Sequence, residues 1–295
     1  MNKAILSYKV KKEDDNKTVE FICRRRIGMS AGVLTETKLK GGIFISGKPC
    51  KTIDKVSEND IITADVTENV PSFSAMPREI DIEVLYDDAF YTVVNKPRKM
   101  SVHQSQGNYG NTLSDAVAYY WQAKGEYHKI HPVNRLDKDT AGICIVAKNR
   151  YAHSAIEAYE IVKEYMAVVH GSLEIKKGTL TSPIKRAVGS TISRITAPDG
   201  KPAITHYEVI HENGKYSLLK IRTETGRTHQ IRVHMSSIGH PLVGDWLYGS
   251  GDDERDIANG HLLQAHKTEF THPVTKQRLK FTVPIEKDME KLIYI

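Results

Sequence analysis

The sequence has few cysteines and no long apolar segment. Its 295 residues include three cysteines, which are far apart and lack the spacing of metal ligands: Cys23, Cys50 and Cys144. An odd number of scattered cysteines argues against a disulfide framework and favours a reducing compartment. No apolar run approaches the ~18 residues that a membrane-spanning helix needs. The N-terminus shows neither the apolar core nor the cleavage site of a secretory leader. We therefore expect a cytoplasmic protein that does not associate with membranes.

Common cofactor and nucleophile motifs are also missing. The chain has no GxxxxGK[ST] loop, no GxGxxG between a strand and a helix, no HExxH and no CxxC. It also lacks the GxSxG turn that carries the nucleophile of many hydrolases. Among 13 histidines, His229, His234 and His240 are spaced by five and six residues, so they do not share one helical face. This spacing favours packing, or contact with a binding partner, over a metal site, and we expect neither a metal nor a cofactor.

What the chain does have is a modest excess of positive charge. The formal net charge is +6 at pH 7, which favours a polyanionic partner without proving one. Between residues 17 and 51 there are eight basic residues and two acidic ones. A solvated surface would explain such a charge, and so would a face that binds phosphates. The basic residues of this segment that are candidates for binding a phosphate backbone are Arg24, Arg25, Arg26, Lys38, Lys40 and Lys48.

The chain length suggests about two domains. Residues 1–67 read as a compact unit of short strands and two helices, the second of which is predicted to start at Ser30 and stop at Gly41-Gly42. Residues 68–78 contain two prolines and two serines without periodicity, which is typical of a linker. Residues 79–295 mix helices with mostly alternating strands. This pattern predicts an α+β domain with a mixed, largely antiparallel sheet.

Within the larger domain, several local signals are clear. Residues 81–97 read as two strands around an Asp-Asp turn, and 113–125 as a helix. The apolar run 143–148 predicts a buried strand, Asn213-Gly214 predicts a hairpin turn, and 226–241 read as a loop that leads into a helix.

An aspartate, Asp137, lies shortly before the predicted buried strand in a segment of unusual composition. The segment NRLDKDTAG, residues 134–142, places Arg135 and Asp137 one residue apart among turn-forming residues. An aspartate in such a loop is often an Asx turn or a helix cap. Asp139 suits that role better than Asp137, because Thr140, Ala141 and Gly142 follow it directly.

A second cluster of hydrogen-bonding side chains lies near the C-terminus. Eight residues hold Arg227, His229, Gln230, Arg232 and His234. A surface helix does not need this density of polar groups, and arginine provides forked recognition of carboxylate or phosphate. One of these residues could therefore pair with Asp137 while others meet a phosphate backbone.

These segments carry a resemblance to a known family. NRLDKDTAG resembles the HRLDxxTSG segment of the RluA/RluD family of RNA pseudouridine synthases, and VVNKP (93–97) resembles the family's VxNKP motif. VKEYMAVVHG looks like its KxYxAxVxG strand, and TGRTHQIRVHMSSIGHPLVGD and HLLQAHKTEFTHP resemble its later segments. The match spans roughly 81–284 in the family's order. In two places the chain departs from the motif: Asn134 replaces a histidine and Ala141 a serine. Residues of the N-terminal unit, about 17–67, look like an S-four-type RNA-binding domain.

The resemblance implies a reaction and a set of residues. The family converts uridine in RNA to pseudouridine by breaking the glycosidic N–C bond and forming a C–C bond through C5, with no cofactor. Asp137 would be the catalytic aspartate, Arg232 (first choice) or Arg227 its partner, and Tyr165 a residue that stacks on uracil or assists proton removal. Arg135 would fill the gap left by the flipped base. Leu136 and either Leu262 or Leu263 would form the apolar wall.

The substrate and the oligomeric state are less sharply specified. The resemblance favours 23S ribosomal RNA first and tRNA second, with the protein acting as a monomer. The alternative is a non-catalytic RNA-binding or ribosome-assembly protein that has kept the fold, to which the departures at Asn134 and Ala141 give some room. Removal of residues 1–67 should weaken RNA binding and its salt dependence, while residues 79–295 stay folded.

Overall fold

The computed structural model describes residues 3–71, 75–104, 110–249 and 257–294, which form helices and strands arranged in three sheets. The helices are α1 (Val19–Phe21), α2 (Ala31–Leu39), α3 (Leu113–Ala123), α4 (Arg150–Ala155), α5 (Gln230–Ser237) and α6 (Lys287–Tyr294). The strands are β1 (Ile5–Lys9), β2 (Ile43–Ile45), β3 (Lys48–Pro49), β4 (Ile61–Asp65), β5 (Glu83–Asp87), β6 (Tyr91–Lys96), β7 (His131–Pro132), β8 (Ala141–Ala147), β9 (Val162–His170), β10 (Lys177–Leu180), β11 (Ile184–Arg186), β12 (Arg194–Thr196), β13 (Thr205–Glu212), β14 (Tyr216–Thr223), β15 (Leu263–Thr271) and β16 (Arg278–Thr282).

The N-terminal residues build a small antiparallel sheet in the order β1-β4-β2-β3. Helix α2 starts where the sequence predicts, because the Ser30 side chain accepts a hydrogen bond from the Val33 N–H. It ends before Gly41, whose φ of +66° lies in the left-handed region that favours glycine. Apolar residues of both helices pack on this sheet. The predicted small N-terminal α/β unit is therefore present.

The first of the two helices predicted for residues 1–67 is not a simple α-helix. After α1 the chain widens into a π-helical turn over Ile22–Arg26, closed by the Ile27 N–H, which donates to the Ile22 carbonyl at 3.0 Å. The turn keeps Ile22 and Cys23 in the core and leaves Arg24–Arg26 exposed in succession. A periodicity of 3.6 residues cannot anticipate this widening.

The larger sheet has the order β10-β13-β14-β9-β15-β8-β6-β5, with β16 added to β15 and β7 to β8. Its pairs are antiparallel except for β8 and β15, which run parallel. The predicted α+β class with a mixed, largely antiparallel sheet is therefore confirmed. The parallel pair demands a glycine at its start. A Cβ on Gly142, with φ of +105°, would lie 2.3 Å from the Ala265 carbonyl oxygen.

The local signals in the larger domain are confirmed. Strand β8 is buried along its whole length, and Asn213-Gly214 lies in the turn between β13 and β14. Asp87 ends the first strand of the β5–β6 hairpin, and Asp88 follows in its turn. Helix α3 starts with a capping box between Thr112 and Asp115. Among the described residues, no helix is both long and apolar enough to cross a membrane.

The predicted linker is fixed on both sides of residues 72–74, which lie outside the described residues. The buried Glu68 carboxylate accepts a hydrogen bond from the Arg150 backbone N–H at 2.9 Å, and the Met76 N–H donates to the Asp115 carboxylate at 2.7 Å. The described parts of this segment are therefore held against the larger domain.

The N-terminal unit also contacts the larger domain directly. The Tyr151 hydroxyl donates to the Ile27 carbonyl at 3.0 Å, and Arg150 lies 3.9 Å from the Glu36 carboxylate. One apolar cluster includes side chains from both parts of the chain. The N-terminal unit thus rests against α4 of the larger domain.

Candidate active site

Asp137 lies in the loop between β7 and β8, and a buried lysine fixes the shape of this loop. The Thr140 N–H donates to the Asp137 carbonyl at 3.1 Å, which closes a tight turn. Lys96 is fully buried, and its ammonium group donates to the carbonyls of Lys138, Met100 and Pro97 at 3.2, 2.7 and 2.9 Å. Burial lowers the pKa of Lys96 to about 8. Lys96 therefore ties the first motif to the aspartate loop.

Asn134, the first departure from the family motif, has a structural task that an amide can perform. Its side-chain NH₂ donates to the Ile143 carbonyl at 3.0 Å, and its side-chain oxygen accepts from the Ile145 N–H at 2.8 Å. The buried side chain therefore extends the ladder between β7 and β8. Ala141, the second departure, starts β8 and is buried opposite Gln264 of β15.

Arg232 is the arginine that meets Asp137. Its Nη1 lies 3.1 Å from Asp137 Oδ2, while its Nε and Nη2 hold the two oxygens of Asp245 at 2.7 and 2.8 Å. Arg227, the other candidate, instead donates from Nε to the Pro202 carbonyl at 2.8 Å. Helix α5 begins between the two arginines, so Arg232 projects from the helix toward the loop while Arg227 stays in the preceding segment.

Asp245 is the residue of this site that sequence reasoning missed. It is fully buried, and its Oδ1 also accepts hydrogen bonds from the Leu247 and Tyr248 N–H groups. Burial disfavours the charged form of Arg232, but Asp245 and then Asp137 outweigh burial and raise the pKa of Arg232. The sequence offered only a general signal for this role. A buried arginine needs a counter-charge, and Asp245 is the last residue of the motif TGRTHQIRVHMSSIGHPLVGD, which contains Arg232.

His229 adds a neutral ring beside Asp137. It has a left-handed φ of +58°, and its Nε2 lies 3.8 Å from Asp137 Oδ2. Burial lowers the pKa of His229, against the opposing charge of Asp137. The Tyr248 hydroxyl accepts from the Arg194 N–H and lies 2.8 Å from His229 Nδ1. With the hydroxyl donating to Nδ1, the ring proton sits on Nε2 and faces Asp137.

A cavity of about 510 Å³ opens at these residues. Asp137 is partly open to it, with 30% of its side chain exposed, whereas the Arg232 side chain is only 5% exposed. The described residues that line the cavity are Lys99, Asp137, Lys138, Asp139, Ile192, His229, Arg232, Gly244, Trp246, Leu247, Ala258, Asn259, Gly260 and His261. This size suits a small organic group such as a nucleobase with its sugar.

Asp139, the predicted turn former, occupies the turn that follows Asp137. Its carboxylate lies 3.3 Å from the Lys99 ammonium group and packs against Gly260, where an added Cβ would come within 2.8 Å of the carboxyl carbon. The next residue, Thr140, bonds through its hydroxyl to Nε2 of the buried His261 at 2.7 Å. These contacts of Asp139 and Thr140 support the turn that follows Asp137.

Tyr165 lies on β9 behind the aspartate loop. It packs in one apolar cluster with Leu136 and in a second with Leu263, and burial raises its pKa. Tyr165 is not among the described residues that line the cavity. Leu262 belongs to a different cluster, with Met166 on the other side of the sheet. Of the two alternative leucines, Leu263 is therefore the one that shares surroundings with Tyr165.

The predicted RNA-binding residues are all exposed, but two of them have partners within the chain. The Arg26 guanidinium donates from Nε and Nη2 to the buried carboxylate of Asp14 at 2.7–2.9 Å. The Lys40 ammonium group lies 3.6 Å from the Glu36 carboxylate. No ion pair with a described residue is made by the others: Arg24, Arg25, Lys38, Lys48 and Arg135. Among the residues that the structure describes, no three histidine, cysteine or acidic side chains are grouped as metal ligands would be.

Comparison with known proteins identifies the family. A family model described as RNA pseudouridylate synthase matches residues 90–237. The uncharacterized RNA pseudouridine synthase YjbO of Bacillus subtilis is 35% identical over 90% of this chain and 95% of its own. The ribosomal large subunit pseudouridine synthase D of Escherichia coli O6:H1 is 35% identical over 86% of this chain and 82% of its own. A solved structure, human RNA pseudouridylate synthase domain containing 1, shares the fold with a TM-score of 0.58, at 24% identity over 69% of this chain and 83% of that one. The resemblance read from the motifs is confirmed, and the chain belongs to the RNA pseudouridylate synthase family.

Proposed function

We propose that this protein converts specific uridines of 23S ribosomal RNA to pseudouridine, with Asp137 as the catalytic group. The observation that carries the proposal is the position of the Asp137 carboxylate, partly buried at the cavity and 3.1 Å from the guanidinium of Arg232. A carboxylate in this position can attack the sugar or take a proton, and both routes require its charged form.

The charges around Asp137 suit this role. Arg232 divides its single positive charge between Asp137 and Asp245, and the third neighbour, His229, is held neutral by burial. Two carboxylates therefore face one guanidinium. Asp245 carries the larger part of the pairing because it makes two short contacts, so Asp137 keeps an incompletely compensated charge for the reaction.

The target base has to leave its stack to reach this carboxylate, at a cost of a few kcal/mol. Arg135 is exposed two residues before Asp137, where it can enter the gap that the base leaves. Tyr165 packs with Leu136 and does not line the cavity, so the proposed stacking of its ring on uracil requires the base to enter deeper than that cavity. These roles are parts of the proposal.

The substrate is argued from charge and from the relatives. Arg24, Arg25, Lys38 and Lys48 present an exposed basic surface on the N-terminal unit, which we propose acts as an S-four-type RNA-binding domain over residues 1–67. A relative named for the ribosomal large subunit, 35% identical over most of this chain, favours ribosomal RNA over tRNA. We propose that the protein acts on it as a monomer in the cytoplasm.

Release of tritium from RNA labelled at uridine C5 tests the proposal. We expect wild-type protein to release tritium from 23S ribosomal RNA transcripts and Asp137→Asn to release none above background. Asp139→Asn is the matched control, because it removes a carboxylate from the same loop and the same cavity. It should keep measurable activity.

Equal loss in both variants would assign the effect to cavity charge in general and remove Asp137 from its role. A wild-type protein that binds the transcripts but releases no tritium from ribosomal RNA or tRNA would instead support a non-catalytic RNA-binding or ribosome-assembly protein.

A further inference from the structure

His229 brings an N–H group to the cavity beside Asp137. The ring lines the cavity, and its Nε2 lies 3.8 Å from Asp137 Oδ2, which is beyond hydrogen-bond distance. No hydrogen bond joins Nε2 to any residue that the structure describes, whereas Nδ1 lies 2.8 Å from the Tyr248 hydroxyl. The tautomer with the proton on Nε2 is favoured, because the other one would turn a lone pair toward the Asp137 carboxylate. Nε2–H is therefore available to a molecule bound in the cavity.

Other donors that line the cavity already have acceptors. The three guanidinium nitrogens of Arg232 contact carboxylates, and the Lys99 ammonium group lies 3.3 Å from the Asp139 carboxylate. His261 is buried, and its Nε2 bonds with the Thr140 hydroxyl. These groups hold the site in shape, whereas His229 can donate to a ligand without breaking a contact within the chain.

The surroundings of His229 keep its ring neutral. Burial is the largest effect that lowers its pKa, and the charges of Arg232 and Arg194 lower it further against those of Asp137 and Asp245. The residue is the N-cap of α5, where the positive end of the helix dipole also disfavours a second ring proton. The titratable and charged groups around the ring are Asp137, Arg194, Arg232, Asp245, Tyr248 and His261. A neutral ring can donate a hydrogen bond and leaves the charge of Asp137 in place.

Both routes open to Asp137 place negative charge on the base. As the C1′–N1 bond breaks, its electron pair stays on the uracil ring and spreads from N1 to the carbonyl oxygens O2 and O4. A preorganised N–H group directed at such an oxygen stabilises the developing charge. The reaction is therefore accelerated by a donor placed close to Asp137, whichever route the carboxylate takes.

The shape of uracil allows one donor to act in both halves of the reaction. The base has to turn until C5 takes the place of N1 opposite C1′. Half a turn about the axis through N3 and C6 exchanges N1 with C5, and it also exchanges O2 with O4. A donor that binds O2 before the turn therefore meets O4 after it, when the electron pair forms the C5–C1′ bond. C5 then loses its proton to water and N1 gains one, so the donor itself neither gains nor loses a proton.

We propose that His229 is a catalytic hydrogen-bond donor whose Nε2–H stabilises the uracil anion, first at O2 and, after the base has turned, at O4. The proposal rests on the proposed function, because it requires the glycosidic bond to be opened at Asp137. It also contributes to the choice of uridine over cytidine. The amino group of cytosine stands in place of O4 and would face Nε2–H with a second donor.

Single-turnover tritium release from a 23S ribosomal RNA fragment labelled at uridine C5 tests this role in the full chain. We expect His229→Leu to lower the rate about 100- to 1000-fold, as for the loss of one preorganised donor, while the Kd for the fragment changes little. His229→Gln has to adopt the same backbone conformation but keeps an N–H group, so it should recover most of the loss. The control is His206→Leu, which removes a partly exposed histidine outside the described cavity lining and should keep the wild-type rate.

Two further measurements distinguish a neutral donor from a base or an acid. Deuterium at C5 should slow His229→Leu no more than wild type, because loss of the donor makes cleavage of the C1′–N1 bond rate-limiting. A larger isotope effect in the variant would instead make His229 the base that removes the C5 proton. The wild-type rate should not fall between about pH 6.5 and pH 7.5, whereas an imidazolium acid would lose about tenfold per pH unit above its pKa.

The outcomes separate this proposal from the proposed function. Equal rates for His229→Leu and an active wild type would overturn the role of His229 and leave the proposed function standing. Equal losses in His229→Leu and His229→Gln, or a loss of RNA binding that parallels the loss of rate, would show a structural role and overturn it as well. A wild type that released no tritium from ribosomal RNA or tRNA would overturn both.

Discussion

The buried pair between Arg232 and Asp245 allows a quantitative prediction for Asp245→Asn. The substitution keeps the shape of the side chain and one oxygen, which can still accept from the Leu247 and Tyr248 N–H groups. It removes the charge and puts an NH₂ group in place of the oxygen that accepts from Arg232 Nε at 2.7 Å, so two hydrogen-bond donors face each other. Removing one partner of a buried ion pair costs about 3–5 kcal/mol. Asp137 remains as a second counter-charge for Arg232, so we expect the lower end, about 3 kcal/mol.

The same substitution should lower activity through geometry and charge. Without Asp245 the guanidinium is free to swing toward Asp137, which displaces the aspartate and compensates its charge more completely. A misplacement of about 1 Å can reduce kcat about 100-fold. Because Asp245 is fully buried and presents no surface to a bound RNA, the KM for RNA should change little.

Urea unfolding and single-turnover tritium release measure the two effects. Asp199→Asn is the matched control, since Asp199 pairs with Lys185 at 2.7 Å but is exposed at the surface. It should change neither stability nor kcat measurably, because exposed pairs contribute little. If Asp245→Asn were as stable and as active as Asp199→Asn, Asp245 would not be what orients Arg232, and the account of the site would be wrong.

Two further predictions concern the parts that hold the site in place. The fall in the pKa of Lys96 from 10.5 to about 8 corresponds to about 3 kcal/mol. Unfolded Lys96 keeps its proton to higher pH than folded Lys96. The free energy of unfolding of wild type, relative to Lys96→Met, should therefore rise between about pH 8 and pH 10. If urea unfolding showed the same difference between the two proteins throughout this pH range, it would contradict the burial of the ammonium group. For the N-terminal unit, a fragment of residues 68–295 should fold and bind RNA with a weaker salt dependence. The fragment 79–295 should be less stable by roughly 2 kcal/mol, because it lacks the buried Glu68 carboxylate and the Met76 N–H that binds Asp115. Equal melting temperatures for the two fragments would show that these contacts do not fix the segment.

Local structure was largely determined by the sequence itself. The cap at Ser30, the Asn213-Gly214 turn and the buried strand β8 depend on contacts within a few residues or on burial patterns with a clear period. The aspartate loop and the arginine-rich segment could also be identified as candidates from their composition. The π-helical turn at Ile22–Arg26 could not, because its hydrogen bonds depend on how the turn packs on the small sheet.

The partners within the site were decided only by the tertiary structure. Arg227 and Arg232 lie in one motif with the same chemistry, and only the start of α5 between them sends Arg232 to Asp137. Leu262 and Leu263 are adjacent leucines that enter clusters on opposite sides of the sheet. Asp245 gained its role by meeting a buried guanidinium, which the fold places beside it although Arg232 precedes it by 13 residues. The sequence determines which groups are present and which local conformation each short segment prefers. Ion pairs and apolar contacts form between side chains that the assembled sheet brings together, so the partners of each side chain depend on the tertiary structure.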